Sequence, residues 1–208
     1  MSTTTLYYVH DPMCSWCWGF SSTFSELLER LPADIVIKRL LGGLAPDSDT
    51  PMPEDLQQMI QATWQRIEQT IPSVKFNFDF WKKCLPRRST FPACRAVIAA
   101  RQQGDDYDEP MTRAIQRAYY QQARNPSDDS TLIALAIELG LDEEQFKKDF
   151  YSIETQQTLM SEIEQARELR ADSFPSLVLQ FDSSCWHVPI DYNDVEPMLE
   201  TIAMIRAT

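Results

Sequence analysis

The residues best suited to chemistry in this 208-residue chain are Cys14 and Cys17, in the segment DPMCSWCWGF at positions 11–20. On a helix, a residue three positions later lies about one turn away on the same side. Unpaired N–H groups and the positive end of the macrodipole at a helix N-terminus favour a thiolate there. A thiolate attacks disulfides, and a second thiol one turn away can attack the mixed disulfide that results. If a helix begins beside Cys14, the spacing therefore indicates thiol–disulfide exchange.

Two other interpretations of this pair are inert core thiols and half of a zinc site. A structural zinc ion takes four ligands, commonly from two such pairs. The other cysteines, Cys84, Cys94 and Cys185, do not form a second Cys-x-x-Cys, and the chain has only two histidines, His10 and His187. We therefore expect redox chemistry and no metal.

The elements around the pair follow from hydrophobic spacing. Residues 5–10 are rich in β-formers and predict a strand, which Asp11-Pro12 ends. From about 15 to 30 apolar residues recur at helical spacing, and a second strand is predicted at 35–41. The order strand, helix, strand predicts a parallel βαβ unit. It places Cys14 at the junction between a strand and a helix.

Helices are predicted through the middle of the chain. One follows Pro53, and Asp142 with Gln145 has the spacing of a capping box at the start of another. The further helices, predicted from apolar periodicity and end signals, lie at about 92–103, 110–124, 128–139, 142–151 and 154–171.

The β pattern returns after the segment SFP at 173–175. Two short strands at 177–181 and 185–189 are predicted to form a hairpin. Asn193 and Glu196 predict a second capping box, before a last helix with Val195, Leu199, Ile202 and Ile205 facing inward. We predict an α/β fold in which the two strand-bearing ends form one sheet and the helical stretch is inserted between them.

Charge and composition exclude several partners. The chain carries 19 Lys and Arg against 31 Asp and Glu, a net charge of -12. An acidic surface repels phosphate backbones and anionic lipids, so we expect neither nucleic acid nor a membrane as a partner. The first residues lack the basic and apolar regions of a signal peptide. We therefore expect a cytoplasmic protein, whose five cysteines do not form structural disulfides.

The segment 11–20, the later FPSLV at 174–178, the GGL at 42–44 and the long helical stretch together resemble the DsbA-type thioredoxin-like superfamily. The resemblance is greatest to its FrnE-like cytoplasmic branch, whose members are described as predicted protein-disulfide isomerases. It extends over the whole chain. It implies a single DsbA-type domain over 1–208, with a thioredoxin-like core at 1–50 and 172–208 and a helical insert at 51–171.

The resemblance also implies the roles of individual residues. Cys14 is then the nucleophile and Cys17 the resolving thiol. Pro175 is then in the cis form, in a loop that faces the cysteines. That loop offers backbone groups of Phe174 to an extended substrate chain, a small version of strand addition.

The residues between the cysteines depart from the family pattern. Ser15 and Trp16 stand where many DsbA-type proteins have proline and histidine. A histidine would stabilise the thiolate by charge, which Trp16 cannot do, so we expect a less oxidising couple, suited to a reductase or isomerase. Trp16 is instead a candidate for substrate binding, in an apolar platform with Trp18 and Phe20. Trp18 can equally pack the helix onto the sheet, and for Phe20 that packing is the expected role.

The remaining cysteines offer less chemistry. Cys94 lies near the start of a predicted helix and is a candidate third redox thiol, able to relay a disulfide or to bond to Cys84. The alternative is a buried core thiol on the helix face that carries Val97 and Ile98. Cys185 falls inside a predicted strand, and we expect it to be an inert core residue.

The sequence therefore predicts a disulfide reductase or isomerase that acts through a mixed disulfide and needs no cofactor. Its partners are expected to be protein or small-molecule thiols and disulfides, including glutathione, whose carboxylate Arg87 and Arg88 beside Ser89 could hold. Two alternatives stay open. A kappa-class glutathione-transferase-like enzyme shares the architecture but typically has serine at the position of Cys14. A non-catalytic peptide-binding module of the same fold would carry the pair as a vestige.

Overall fold

The structure is a computed structural model that describes residues 4–207, so residues 1–3 and 208 of the predicted domain lie outside the described residues. In chain order the elements are β1 (Thr4–His10), α1 (Ser15–Arg30), β2 (Ile35–Leu41), α2 (Glu54–Thr70), α3 (Phe80–Lys83), α4 (Phe91–Gln102), a 3-10 turn (Asp105–Tyr107), α5 (Asp108–Tyr120), α6 (Asp129–Glu138), α7 (Glu143–Phe150), α8 (Ile153–Glu168), β3 (Ser176–Phe181), β4 (Ser184–Val188) and α9 (Glu196–Arg206). They form two compact units, Met1–Gly42 with Glu162–Thr208, and Gly43–Ser161. None of the helices within 4–207 is both long and apolar enough to cross a membrane.

The first unit is built on one four-stranded sheet with the order β2-β1-β3-β4. β1 runs parallel to β2, with Leu6 opposite Ile37, and antiparallel to β3, with Tyr8 opposite Leu177. β4 extends the sheet as the antiparallel partner of β3. The predicted parallel βαβ unit and the predicted hairpin are both confirmed, and the α/β, DsbA-type thioredoxin-like fold class is correct.

Side chains alternate along a strand, so β1 presents residues to both faces of the sheet, and both faces are covered. Leu6 and Tyr8 point into a core that includes residues of α1 and α9. Tyr7 and Val9 point to the opposite face, where a smaller cluster includes Ala166 of α8. All seven residues of β1 are therefore buried, as expected for a strand covered on both sides.

The second unit is helical and packs around Trp64 of α2, which is fully buried. Phe76 stacks on its indole at 4.8 Å, and Trp81 lies 5.0 Å away between ring centroids. Phe80 of α3 belongs to the same cluster, with its ring centroid 6.2 Å from that of Trp64. α3 was not predicted because a four-residue helix is too short to show a helical period.

The first capping box is present only in part. The N–H of Gln145 donates to Asp142 Oδ1 at 2.7 Å, as predicted. The Gln145 side chain does not return to the Asp142 N–H but donates to the Asp149 carboxylate at 2.8 Å. The Asp142 N–H donates instead to Gln103 Oε1 at 2.9 Å. Tertiary contact with Gln103, at the end of α4, therefore replaces the reciprocal half of the box.

The second predicted capping box, Asn193 with Glu196, is wrong. α9 begins at Glu196, whose N–H donates to Asp194 Oδ1 at 2.9 Å. The N–H groups of Asn193 and Asp194 donate to Asp191 Oδ1 at 2.8 and 3.0 Å. This Asp191 turn precedes the helix, so the helix starts later than a cap at Asn193 requires.

The expectation that Cys185 is a core residue is also wrong. Cys185 is exposed on β4, opposite Gln180. β4 is one of the two edge strands of the sheet, and Val188 is its one buried residue. An edge strand has a neighbour on one side only, so β propensity alone did not predict burial here.

Candidate active site

The turn before α1 places Cys14 at the helix N-terminus. Asp11 Oδ1 accepts a hydrogen bond from the Met13 N–H at 2.7 Å, and the Asp11 carbonyl accepts one from the Cys14 N–H at 3.0 Å. Cys14 itself is extended, with φ -79° and ψ 117°, and its carbonyl accepts the first helical bond from Trp18 at 3.1 Å. Cys14 is therefore the N-cap of α1, at the strand–helix junction that the sequence predicts.

This position gives the Cys14 sulfur a favourable electrostatic setting. The first N–H groups of a helix lack intrahelical partners and carry partial positive charge. Within the described chain, no acidic residue lies in the first turn of α1, and no side chain caps it. Nothing in that turn therefore competes with a thiolate for the helix N-terminus.

The loop before β3 lies against Cys14. The Phe174–Pro175 peptide bond is cis, as the resemblance implies. Cys14 Sγ donates to the Phe174 carbonyl at 3.3 Å, so the loop faces the nucleophilic position. A Cβ at Gly42 would lie 2.1 Å from two carbons of the Phe174 ring, so the residue after β2 must be glycine for the ring to sit there.

Both cysteines are buried, Cys17 completely and Cys14 with 7% of its surface exposed. Cys17 is fully enclosed on α1, and neither cysteine is in a disulfide. Burial raises the pKa of the Cys17 thiol, and a hydrogen bond to Cys14 and the charge of Cys14 raise it further. Cys17 is consequently a protonated thiol whose sulfur adjoins that of Cys14.

Tyr192 joins the site from the far end of the chain. Its ring lies 4.9 Å from that of Trp16 and 5.9 Å from that of Phe20, between centroids. The Thr23 hydroxyl of α1 donates to the Tyr192 carbonyl at 2.7 Å and so attaches this loop to the helix. Trp16 and Tyr192 are both half-buried and form what we term the aromatic wall, whereas Phe20 is buried in the core.

The pKa of the Tyr192 hydroxyl reflects its proximity to the cysteines. Burial raises the pKa of this phenol well above its ordinary value, and the charges of Cys17 and Cys14 raise it further. Sequence reasoning missed Tyr192 because it lies 175 positions after Cys17 and belongs to no motif. Only the chain path between β4 and α9 brings it to the pair.

The other two thiols of interest lie in the second unit. Cys94 is fully buried on α4, together with neighbours such as Val97 and Ile98. Cys84 ends α3, and its Sγ donates to the Ala123 carbonyl at 3.1 Å. This burial is what the core-thiol interpretation of Cys94 expects, and the redox role of Cys94 stays a prediction.

The arginines considered for glutathione are placed differently from each other. Arg88 is exposed, while Arg87 donates to Asp128 Oδ1 at 2.7 Å and to the Ser127 carbonyl. Arg87 thus secures the start of α6. It also lines a polar cavity of about 610 Å³, where a second arginine, Arg95, is likewise paired with a carboxylate, that of Asp47, at 2.7 Å.

Comparison with known proteins agrees with this architecture. A family model described as thioredoxin matches residues 7–199. A candidate protein disulfide isomerase from Nitrosomonas europaea is similar, with a TM-score of 0.84 and 27% identity, covering 97% of each chain. So is the cytosolic disulfide reductase DsbM from Pseudomonas aeruginosa, with a TM-score of 0.76 and 23% identity, covering 98% of this chain and 100% of that one. DsbM was also solved with GSH.

Curated relatives carry a different description. The ClpXP adapter protein SpxH from Bacillus subtilis strain 168 is 24% identical over 193 residues, which cover 90% of this chain and 63% of that protein. SpxH from Halalkalibacterium halodurans is 23% identical over 186 residues, covering 86% of this chain and 59% of that protein. The chain thus spans less than two thirds of the length of these relatives.

Proposed function

The chain belongs to this thioredoxin family, and from that premise we propose that it is a thiol–disulfide oxidoreductase working through Cys14 and Cys17. The observation that carries the proposal is the hydrogen bond from Cys14 Sγ to the Phe174 carbonyl at 3.3 Å. It joins the N-cap thiol of α1 to the cis-proline loop at one point. A nucleophile, a second thiol and a backbone docking edge then meet within reach of one substrate disulfide.

The reaction proceeds in two exchanges. Cys14 attacks a substrate disulfide, forms a mixed disulfide and releases one substrate thiol. Cys17 then attacks Cys14 Sγ, forms the Cys14–Cys17 disulfide and releases the second substrate thiol. Two electrons pass from the protein to the substrate, and a thiol reductant such as glutathione restores the dithiol. Because Cys17 is buried, it exchanges with Cys14 and not with the substrate directly.

Substrate binding is assigned to the surroundings of Cys14. Phe174 and Pro175 present backbone to an extended chain, in the manner of strand addition. Trp16 and Tyr192, the aromatic wall, add apolar surface next to the nucleophile. An apolar residue near the substrate cystine would pack on this wall.

The direction of transfer follows from what stabilises the thiolate. Trp16 supplies no charge between the cysteines, so the helix N-terminus is the main source of stabilisation. We therefore propose a couple less oxidising than that of DsbA, working as a reductase or isomerase in the cytoplasm. The similarity to DsbM, a cytosolic disulfide reductase solved with GSH, supports this direction and a glutathione-like thiol partner.

Reduction of insulin by dithiothreitol tests the proposal. The wild-type protein should accelerate the reaction, and Cys14→Ser should return it to the background rate. Cys185→Ser is the matched control, because it removes an exposed thiol away from the pair and should keep the full rate. Equal rates for wild-type and Cys14→Ser protein would contradict the proposal.

A second candidate is a peptide-binding adapter, which the description of the SpxH relatives favours. In that case the loop at Phe174 and the aromatic wall would hold a peptide without turnover. Binding of a cysteine-free unfolded peptide, together with insulin reduction at the background rate, would support the adapter. A kappa-class transferase-like activity is disfavoured because Cys14 occupies the position where that class typically has serine.

A further inference from the structure

Tyr8 of β1 lies beneath the cysteine pair and is tightly confined. Its side chain points to the face of the sheet that α1 covers, and it is buried. Its ring centroid lies 4.0 Å from that of Phe24 and 4.8 Å from that of His10. The planes of the Tyr8 and His10 rings differ by 2°. Because aromatic packing fixes the ring plane, the phenol oxygen has one position.

That oxygen is the first member of a chain of hydrogen bonds. The Tyr8 ring packs on Phe20 and Phe24, which share one face of α1 with Cys17, and a hydrogen bond with the Cys17 side chain is among the causes that raise the pKa of Tyr8. A hydrogen bond with the Cys14 side chain likewise raises the pKa of Cys17, and Cys14 Sγ donates to the Phe174 carbonyl at 3.3 Å. Tyr8, the two sulfurs and the cis-proline loop therefore follow one another from the central strand to Phe174.

The Tyr8 phenol is suited to donate and not to accept a proton. Burial raises its pKa well above the ordinary value, and the charge of Cys17 raises it further. A phenol in this setting stays protonated at neutral pH. It can therefore stabilise a thiolate by a hydrogen bond, and such bonds to charged groups are stronger than neutral ones.

We propose that Tyr8 is a third functional group of the redox centre, which fixes Cys17 Sγ for attack on Cys14 and donates to the thiolate that Cys17 becomes. This inference rests on the proposed thiol–disulfide exchange and assigns a residue to its second step. If the inference is right, the first exchange, in which Cys14 attacks the substrate disulfide, does not depend on Tyr8.

The second step balances without any further reactant. Cys17 loses its proton, and its sulfur attacks Cys14 Sγ in the mixed disulfide. The Cys14–Cys17 bond forms, the bond from Cys14 to the substrate sulfur breaks, and the leaving thiolate takes up one proton. Tyr8 keeps its own proton throughout and changes only the stability of the Cys17 thiolate before attack.

Several other charged or titratable groups face the same sulfur and remain in a Tyr8 variant. Cys14 and Asp11 act on Cys17, and Tyr192 lies close enough to sense its charge. The Arg39 guanidinium lies 5.6 Å from the centroid of the Tyr8 ring, and His10 stacks on that ring. A change seen on removing only the Tyr8 hydroxyl is therefore measured against a constant background.

The chain provides a matched control next to Tyr8. Tyr7 occupies the same strand but points to the opposite face, where its hydroxyl donates to Gln180 Oε1 at 3.1 Å. Tyr8→Phe and Tyr7→Phe each remove one hydroxyl from one buried ring of β1. Of the two, the Tyr8 hydroxyl is the one whose pKa is raised by Cys17, whereas the Tyr7 hydroxyl is bonded to Gln180.

The experiment follows the two exchanges separately. Reduced protein is mixed with oxidised glutathione, quenched with acid, and the glutathione adduct and the internal disulfide are quantified by mass spectrometry. Adduct formation should be unchanged in both variants. Conversion of the adduct to the internal disulfide should slow about ten- to hundred-fold in Tyr8→Phe, with its pH profile moved to higher pH because the thiolate has lost a donor. Tyr7→Phe should match the wild type.

Equal conversion rates and pH profiles in Tyr8→Phe and Tyr7→Phe would overturn the assignment while leaving the proposed function intact. A wild-type protein that forms neither adduct nor internal disulfide would instead overturn the proposed function, and the role of Tyr8 with it. If Tyr8→Phe does not fold, 3-fluorotyrosine at position 8 replaces it, since this residue keeps the hydroxyl and makes it a stronger donor. Its conversion profile should move to lower pH, and an unmoved profile would contradict the inference.

Discussion

Two of the described helices, α1 and α4, carry a cysteine at their N-terminal end, and the surroundings of the two sulfurs differ. Cys14 is the N-cap of α1, whereas Cys94 lies in the first turn of α4, where its N–H donates to the Thr90 carbonyl at 3.1 Å. The helix terminus is common to both. Cys14 has in addition a neighbouring thiol and the Phe174 carbonyl, while Cys94 is enclosed among core residues.

The difference shows that a helix N-terminus alone does not make a redox centre. A reactive thiol also needs access for a disulfide and a second thiol for release. In the sheet-bearing unit, Cys17 of α1 supplies the second thiol, and the distant loops that carry Phe174 and Tyr192 lie beside the pair. The helical unit is organised around the buried indole of Trp64, and its Cys94 is part of that unit's core.

The largest effect is expected from Cys17→Ser. Without the resolving thiol, insulin turnover should fall to the background rate, while Cys14 still attacks and becomes trapped in a mixed disulfide. Non-reducing gels and mass spectrometry would detect this adduct. Cys84→Ser, in the helical unit, keeps a hydroxyl donor toward Ala123 and should neither lose turnover nor trap substrate. Normal turnover in the Cys17→Ser protein would contradict the resolving role of Cys17, since it would then behave like Cys84.

The next effect is expected from Gly42→Ala. The new Cβ would lie 2.1 Å from the Phe174 ring, so the ring and the loop that carries it must shift. We expect kcat/KM for insulin reduction to fall about ten-fold, or about 1.4 kcal/mol. The double variant with Phe174→Ala should match Phe174→Ala alone, since the clash is then gone.

Gly140→Ala is the control for that change. Gly140 has φ +80°, and a Cβ added there would meet no described atom within 4 Å, so alanine adds backbone strain without a clash. It should lower the free energy of unfolding by about 1 kcal/mol and leave insulin reduction unchanged. Equal losses of activity in both glycine variants would show that Gly42 acts through general stability and not through the loop.

Alkaline pH should destabilise the protein through the buried groups of the first unit. The folded state raises the pKa values of Cys17, Tyr8 and Tyr192, so it binds their protons more tightly than the unfolded chain does. Their stabilising contribution is complete below the unfolded pKa values, about 8.5 for cysteine and 10 for tyrosine, and is lost as pH rises toward the folded values.

Urea unfolding between pH 7 and pH 10.5 measures this loss. The free energy of unfolding of the wild type should decline from about pH 8.5. Cys17→Ser should delay the decline toward pH 10, whereas Cys84→Ser should change it less because that thiol is only half-buried. A free energy that stays level up to pH 10 in the wild type would contradict the buried, protonated state of Cys17.

The smallest effect is expected from Cys94→Ala. A buried thiol replaced by alanine should cost about 1 kcal/mol of stability and leave both the insulin reduction rate and the thiol titration of the pair unchanged. A slower steady-state rate, with stability preserved, would instead support the relay role for Cys94.

The local part of the structure was predictable from the chain. The strand–helix–strand order, the parallel pairing of β1 with β2 and the position of Cys14 at a helix start follow from periods of two and 3.6 and from the Asp11-Pro12 break. Short or edge elements were less predictable. α3 has too few residues to show a period, and the exposure of Cys185 depends on the position of β4 at the edge of the sheet.

Tyr8 and Tyr192 mark what the tertiary structure alone decided. Alternation along β1 places Tyr8 and Tyr7 on opposite faces, but only the packing of α1 decides which face meets Cys17. Tyr192 reaches the pair through a loop after β4, a contact with no local pattern. Spacing determines which residues share an element because backbone geometry repeats over a few residues. Contacts between distant segments depend on burial and hydrogen bonding in the whole fold, and so they appear only when the sheet and α1 are assembled.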